Sequence, residues 1–290
     1  MTLIPFVFCQ NFLFFVGFLL IFVLKFMTMK NYMNLWLVVL IGMLTSCGSK
    51  PALEMKMHVI FDNPSPRTMP LALFGEVPDS LVTALNIQDG IPSSVSVMLV
   101  EKDSQLLLFD AGNGNDESQL LPYLQNLGLS PSDIDAIFLT HMHGDHIGGL
   151  IKDGQKVFTQ AKLYIPSVEL DAWTQTPEST SPNVKTLIDA YEENLVKFGA
   201  EDELPCGIVA IPAYGHTPGH TVYQVGDILI VGDIMHGVAL QMAHPEFCAR
   251  FDMDQNQSIA SRKSILEQVS SNGWKMYGMH FPTTEAVMIP

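Results

Sequence analysis

The chain has 290 residues, 48% of them hydrophobic, and its 15 basic and 30 acidic side chains give a formal net charge of −15. That length suits one large domain or two small ones. The acidity argues against a nucleic-acid partner, because phosphate backbones are bound by Lys and Arg, and the four cysteines form no Cys-x-x-Cys pair for structural zinc.

Residues 1–46 hold no acid, two lysines (Lys25 and Lys30) and two apolar runs, at 12–24 and 35–44. A basic residue, a short apolar core and then small residues make the layout of a secretory signal. The stretch "LTSC" at 44–47 resembles a bacterial lipobox, which makes Cys47 the expected lipidation site and the cell envelope or periplasm the expected location, with membrane contact through that lipid. Met27 or Met29 would open such a signal better than Met1. Residues 1–26 therefore read as an over-long start or as an extra membrane-embedded segment; 3–24 would span a bilayer if Gln10 and Asn11 are tolerated.

Residues 47–56 read as a tether, and strands are expected at 54–61, 94–101 and 105–112, the last two joined as a hairpin by "KDS". The stretch "DESQLLPYLQNLG" at 116–128 carries helical spacing in Leu120, Leu121, Leu124 and Leu127 and stops at Gly128. A short strand at 134–140 runs into "HMHGDH", and another follows at 161–165. Residues 166–200 look helical, broken at 176–183. Strands at 207–211, 221–225 and 227–232, an amphipathic helix at 255–270 and "KMYGMH" complete the chain. Strands and helices interleave without a linker, so 57–290 reads as one α/β domain. Cys206 and Cys248 read as free cysteines.

Three of the nine histidines and one aspartate fall within 141–146. At a strand end side chains alternate, so His141 and His143 face one side together. Gly144 bends the chain and brings Asp145 and His146 from another direction. This arrangement can supply two imidazoles to one metal and a carboxylate with an imidazole to a neighbour.

The segment "LTHMHGDHIGG" resembles the signature of the metallo-β-lactamase superfamily. "FDAGNG", "AYGHTPGHTVYQV", "ILIVGDIMH" and "YGMHFP" resemble its further motifs in order, over 57 to about 282. The resemblance implies a four-layer αββα sandwich with a dinuclear site at its edge. Metal one would take His141, His143 and His216; metal two would take Asp145, His146 and His280; Asp233 would bridge them. It implies two divalent ions, zinc first, with manganese, iron or cobalt as alternatives. The implied reaction is hydrolysis of an ester-like bond by a metal-bridging hydroxide, with Asp145 as a secondary proton acceptor. His220 is expected to steady the loop.

The stretch from Asp233 to 268, with "HPE", "FDMD" and "SRK", is similar to the methyl parathion hydrolase and lactonase-like branch. There His236 occupies a position held by Tyr in many acyl-homoserine-lactone lactonases, and it reads equally as a proton donor to a leaving oxygen or as a packed histidine. His244 reads as structural, His58 as non-functional, and Trp173 as either pocket wall or core. The expected substrate is a small lactone, ester or phosphotriester. A glyoxalase-like thioester hydrolase and a metal-binding envelope lipoprotein without turnover are the alternatives; a β-lactamase is a weaker one. Relatives in the branch are often dimers, so a homodimer is an expectation by analogy. The chain ends soon after "HFP", and a truncated tail is expected to bare an edge strand and loosen His280.

Overall fold

The computed structural model describes residues 55–175 and 182–289; the leader, Cys47 and nearly all of the tether lie outside them. The strands, in chain order, are β1 (Lys56–Phe61), β2 (Arg67–Met69), β3 (Ile91–Ser93), β4 (Ser96–Lys102), β5 (Gln105–Phe109), β6 (Ala136–Phe138), β7 (Ile151–Lys152), β8 (Gln155–Lys156), β9 (Lys162–Pro166), β10 (Leu195–Phe198), β11 (Val209–Pro212), β12 (Thr221–Val225), β13 (Ile228–Ile230) and β14 (Lys275–Tyr277). The helices are α1 (Asp79–Ala84), α2 (Leu120–Asn126), α3 (Gly144–Ile147), α4 (Ser167–Thr174), α5 (Pro182–Tyr191), α6 (Val238–Gln241) and α7 (Gln255–Asn272).

Two sheets result, ordered β1-β4-β5-β6-β9-β10 and β11-β12-β13-β14. Strand β4 shows how the sequence makes them a sandwich. Alternate side chains point to opposite faces, and both faces of β4 are apolar. Met98 and Val100 meet Leu107, Phe109 and Phe138, then Tyr223 and Ile230 of the second sheet. Val97 and Leu99 face the other way, toward Leu120 and Leu124 of α2 and Leu187 and Tyr191 of α5. On the far side Val222, Leu229 and Met276 pack against Ile265 and Val269 of α7. Helix, sheet, sheet and helix are therefore four layers around three apolar cores, as expected. The rings of Phe109, Phe138 and Tyr223 lie 5.3–5.6 Å apart between the sheets.

The β4–β5 hairpin closes at Lys102↔Gln105. Its two turn residues, Asp103 and Ser104, have φ of 53° and 64°, the primed-turn conformation that matches strand twist. Helix α7 is capped by Asp254, whose side chain accepts from Gln257 N–H, and stops at Gly273 with φ 65°.

Three features differ from the sequence reading. Residues 195–198, expected to be helical, form β10, laid parallel on β9; "LVKF" includes a β-branched and an aromatic residue, and the helix before it ends at Tyr191. Helix α2 starts only at Leu120, because the buried Asp62 carboxylate takes the N–H groups of Gln119 and Leu120. The stretch 62–93 carries no helical or strand periodicity, yet it holds β2, α1 and β3 around a small core of Phe74, Ile87 and Ile91 with Leu240 and Ala249. After His280 the chain turns back, and Val287 exchanges both backbone hydrogen bonds with Met276, so β14 is not left bare there.

Candidate metal centre

The expected ligands sit on segments that leave strand ends at one edge of the sandwich: after β6, where Asp145 and His146 lie in the short α3, between β11 and β12, after β13 and after β14. Three imidazoles converge first. His141 Nε2 lies 2.9 Å from His143 Nδ1, His143 Nδ1 lies 2.9 Å from His216 Nε2, and the third side of the triangle is 3.1 Å. A neutral imidazole has one donor and one acceptor, so three ring nitrogens facing one point cannot all satisfy one another. A cation at the centre would satisfy all three, which is the donor chemistry of zinc and similar ions.

A second group adjoins it. His146 Nε2 lies 3.8 Å from an Asp145 oxygen, and His280 Nε2 lies 3.6 Å from the other. Asp233 stands between the groups. Its Oδ1 is 3.3 Å from His146 Nε2, while its Oδ2 is 3.0 Å from His280, 3.4 Å from His216 and 3.8 Å from His141. His146 Nε2 and Asp233 Oδ1 are buried with no hydrogen-bond partner. Buried polar atoms are normally paired, and a cation between these two atoms would satisfy both. The residues present fit a divalent metal pair.

The charge balance agrees. Burial holds His141 well below the usual histidine range and His143 down at about 4, so both rings keep their lone pairs. Burial opposes charge on His146 too, but Asp233, Asp110 and Asp145 outweigh it and raise His146 well above the usual range. Asp233 stays ionised, since His146, His280 and His236 overcome the burial that would raise it.

Neighbouring groups set each tautomer, as usual for metal-binding histidines. Asp110 accepts from His146 Nδ1 at 2.7 Å and also takes the Thr140 N–H and hydroxyl. Asp252 accepts from His216 Nδ1 at 2.9 Å and is itself held by the fully buried Arg262. His280 Nδ1 donates to Ser94 O at 2.7 Å. His220 accepts the Asp233 N–H on Nε2 at 2.9 Å, which places it as the loop-steadying residue. Gly232 precedes Asp233 with φ 54°, and a Cβ there would lie 2.5 Å from His220 Nε2; only glycine fits this turn.

Sequence reading missed Asp110, Glu169, Asp252 and Arg262 as supports. "FDAG", "FDMD" and "SRK" were visible signals, though which ligand each would hold was not. Glu169 carried no signal. It lies fully buried in α4 and accepts from Met142 N, Thr217 Oγ1, Gly219 N and Trp173 Nε1 at 2.6–2.9 Å. Trp173 thus touches the site, its ring edge-on to His143 at 5.7 Å between centroids.

His236 is buried, with Nε2 3.2 Å from Asp233 Oδ2 and its ring stacked on His280 at 5.0 Å. His58 contacts Tyr123 on the opposite, outer face, and His244 pairs with Glu246 within the "HPE" turn. Cys206 and Cys248 are free. A cavity of about 330 Å³ opens over the cluster, reaching His143, Asp145, Asp233, His236 and His280 on its floor.

Asp110→Asn is expected to weaken metal binding about 10–100-fold while the protein stays folded. The amide nitrogen would face His146 Nδ1 and shift the ring proton to Nε2, where a lone pair is needed. Competition with a graded chelator measures this, and an unchanged affinity would remove Asp110 from the site.

The sequence model described as the metallo-beta-lactamase superfamily matches residues 90–271. The anti-Pycsar protein Apyc1 of Saccharibacillus brassicae is 30% identical over 135 residues, covering 44% of this chain and 54% of that protein. The hydroxyacylglutathione hydrolase of Shewanella sp. (strain ANA-3) is 31% identical over 146 residues, covering 48% and 47%. The matched stretch thus spans about half of each of these relatives. Among solved structures, AidC, a dizinc quorum-quenching lactonase in complex with a product, superposes at TM-score 0.72 with 25% identity over 81% of this chain and 90% of its own. AbOPH, a hydrolase in the beta lactamase superfamily, superposes at 0.71 with 23% identity, over 82% and 90%.

Proposed function

The chain belongs to the metallo-beta-lactamase superfamily, and from that membership we propose that it is a dinuclear, zinc-dependent hydrolase of a lactone, ester or phosphotriester. The observation that carries this reading is the shared Asp233, whose two oxygens face the two ligand groups from the floor of one cavity. His141, His143 and His216 would hold one ion, and Asp145, His146 and His280 the other, with Asp233 common to both. When bound, such a pair makes a water nucleophilic near neutral pH and polarises the oxygen of the bond under attack.

The chain's own groups do the rest. The Asp145 side chain is 33% accessible and faces the cavity, which suits it to take the proton of the attacking water. His236 points Nε2 at Asp233, so its one proton in the neutral ring is spent there, and Nδ1 is buried without a partner. That geometry favours His236 as a positioning residue for Asp233 over a proton donor to the leaving oxygen. The lactonase branch draws its support from the AidC likeness; no comparison supports the methyl parathion hydrolase branch specifically. The glyoxalase-like reading is favoured by the Shewanella relative's name alone. An exported, Cys47-anchored location rests on "LTSC".

The deciding experiment strips the purified protein of metal, restores zinc, and follows metal content with hydrolysis of an acyl lactone, an aryl phosphotriester and an acyl thioester. Two ions per chain and turnover only after restoration are expected, with the lactone preferred. Fewer than two ions, or no turnover of any of the three, would sink the reading; thioester preference would move it to the glyoxalase type.

A further inference from the structure

The cavity over the metal centre has one feature that hydrolysis of a neutral ester does not use. Arg67, on β2, lines it, and among the described residues lining that cavity it is the single Lys or Arg. The side chain is exposed and makes no hydrogen bond or ion pair with any described residue.

Its position is set by the fold. β2 and β3 form a two-stranded ribbon in which Arg67 lies opposite Ser93, with Cα atoms about 5 Å apart. Ser93 Oγ reaches the His280 carbonyl at 3.2 Å and the His236 carbonyl at 3.4 Å, and the Ser94 carbonyl takes the His280 Nδ1–H at 2.7 Å. The ribbon is therefore pinned to the His280 side of the centre, and Arg67 is one ladder step away. The hydroxyls of Ser93 and Ser94 are used within the protein. Met69, Val95 and Phe251 add apolar wall. The acids in the cavity are Asp145 and Asp233, both committed to the centre. No fixed counter-charge is left for Arg67.

Resting on the hydrolase reading above, we infer that Arg67 is a specificity residue: it receives an oxyanion carried by the substrate, so the preferred substrate is an ester or lactone bearing a carboxylate at the end away from the bond that is cut. A guanidinium binds a carboxylate through two parallel hydrogen bonds and fixes its direction. The acidic surface then repels anions generally, while the cavity admits one that reaches both Arg67 and the centre. One arginine differs from the basic cluster a large polyanion would need.

The test compares two chromogenic substrates on the zinc-loaded full chain, 4-nitrophenyl hexanoate and the mono-4-nitrophenyl ester of adipic acid, which differ by the terminal carboxylate. The ratio of their kcat/KM values is expected to favour the adipate ester and to shrink at high salt, because the pair is exposed. In Arg67→Met the ratio should fall about tenfold; in Arg67→Lys it should fall less, and in Arg67→Glu it should reverse. An unchanged ratio in all three variants overturns the inference while leaving the hydrolase intact. No turnover by the wild type of either ester, nor of the lactone, phosphotriester and thioester above, overturns the hydrolase reading instead. Calorimetric binding of glutarate to the zinc-loaded protein then judges Arg67 alone: tenfold weaker binding in Arg67→Met supports it, and equal binding overturns it.

Discussion

Asp233→Ala is expected to leave fewer than two ions per chain and to lower hydrolysis by about 10²–10⁴-fold. Five imidazoles lie within 3.0–3.8 Å of this one carboxylate: those of His141, His146, His216, His236 and His280. Losing a residue that merely supports one ligand costs about 10–100-fold in affinity or activity, and Asp233 serves both ligand groups, so the two losses compound. Asp233→Asn keeps the shape, including the backbone N–H held by His220, but not the charge. It should retain the fold and still lose the second ion. The effect reaches stability as well. A ligand that binds only the folded state at 100–1,000 times its Kd stabilises by about 3–4 kcal/mol, which is about 10 °C in Tm for a domain of this size. Zinc should raise the wild-type Tm by that amount and the Asp233→Ala Tm by little. Metal analysis and melting curves on the same samples decide it; a variant that keeps two ions and full turnover would remove Asp233 from the bridge.

Glu169→Ala is expected to be the most damaging change outside the ligands. Glu169 holds four donors, and three of them belong to the metal loops: Met142 N lies between His141 and His143, while Thr217 Oγ1 and Gly219 N follow His216. Burial pushes this carboxyl up, and the four hydrogen bonds pull it back. Each buried donor left without an acceptor costs about 1–3 kcal/mol, so the loss is about 4 kcal/mol even if water recovers part of it. That corresponds to about 8–16 °C in Tm. Glu169→Gln keeps one acceptor oxygen but turns an amide NH₂ toward donors, and should fall between. A positioning role also predicts faster zinc release. Leu124→Ala is the control, since it removes a fully buried side chain of the outer layer at a cost of about 2–5 kcal/mol. Equal zinc release from the two variants would reduce Glu169 to a stability residue.

The amino-acid sequence by itself determined the chemistry of the centre. His141, His143, Asp145 and His146 sit within six residues at a strand end, so backbone geometry alone makes them neighbours, and "GHTPGH", "VGDIMH" and "YGMHF" supplied the remaining ligand types in order. The strands of the sandwich were readable for a similar reason: β4, β5, β12 and β13 are short apolar runs with turn residues between them, and alternation along one strand is a local property. What only the tertiary structure decided is which groups hold those ligands still. Asp110 reaches His146 across 36 positions, Asp252 reaches His216 across 36, and Glu169 joins loops 27 and 50 positions away. Their partners are ring nitrogens and backbone N–H groups, which leave no compositional mark. The same limit explains α2, whose start is set by Asp62 more than fifty residues upstream, and β10, a four-residue edge strand that becomes one by pairing with β9. It also explains Arg67, an ordinary arginine in the sequence until the β2–β3 ribbon carries it over the centre. Ligand spacing is written along the chain because covalent geometry enforces it; orientation is enforced by contacts between distant segments, and these exist only once the layers have packed.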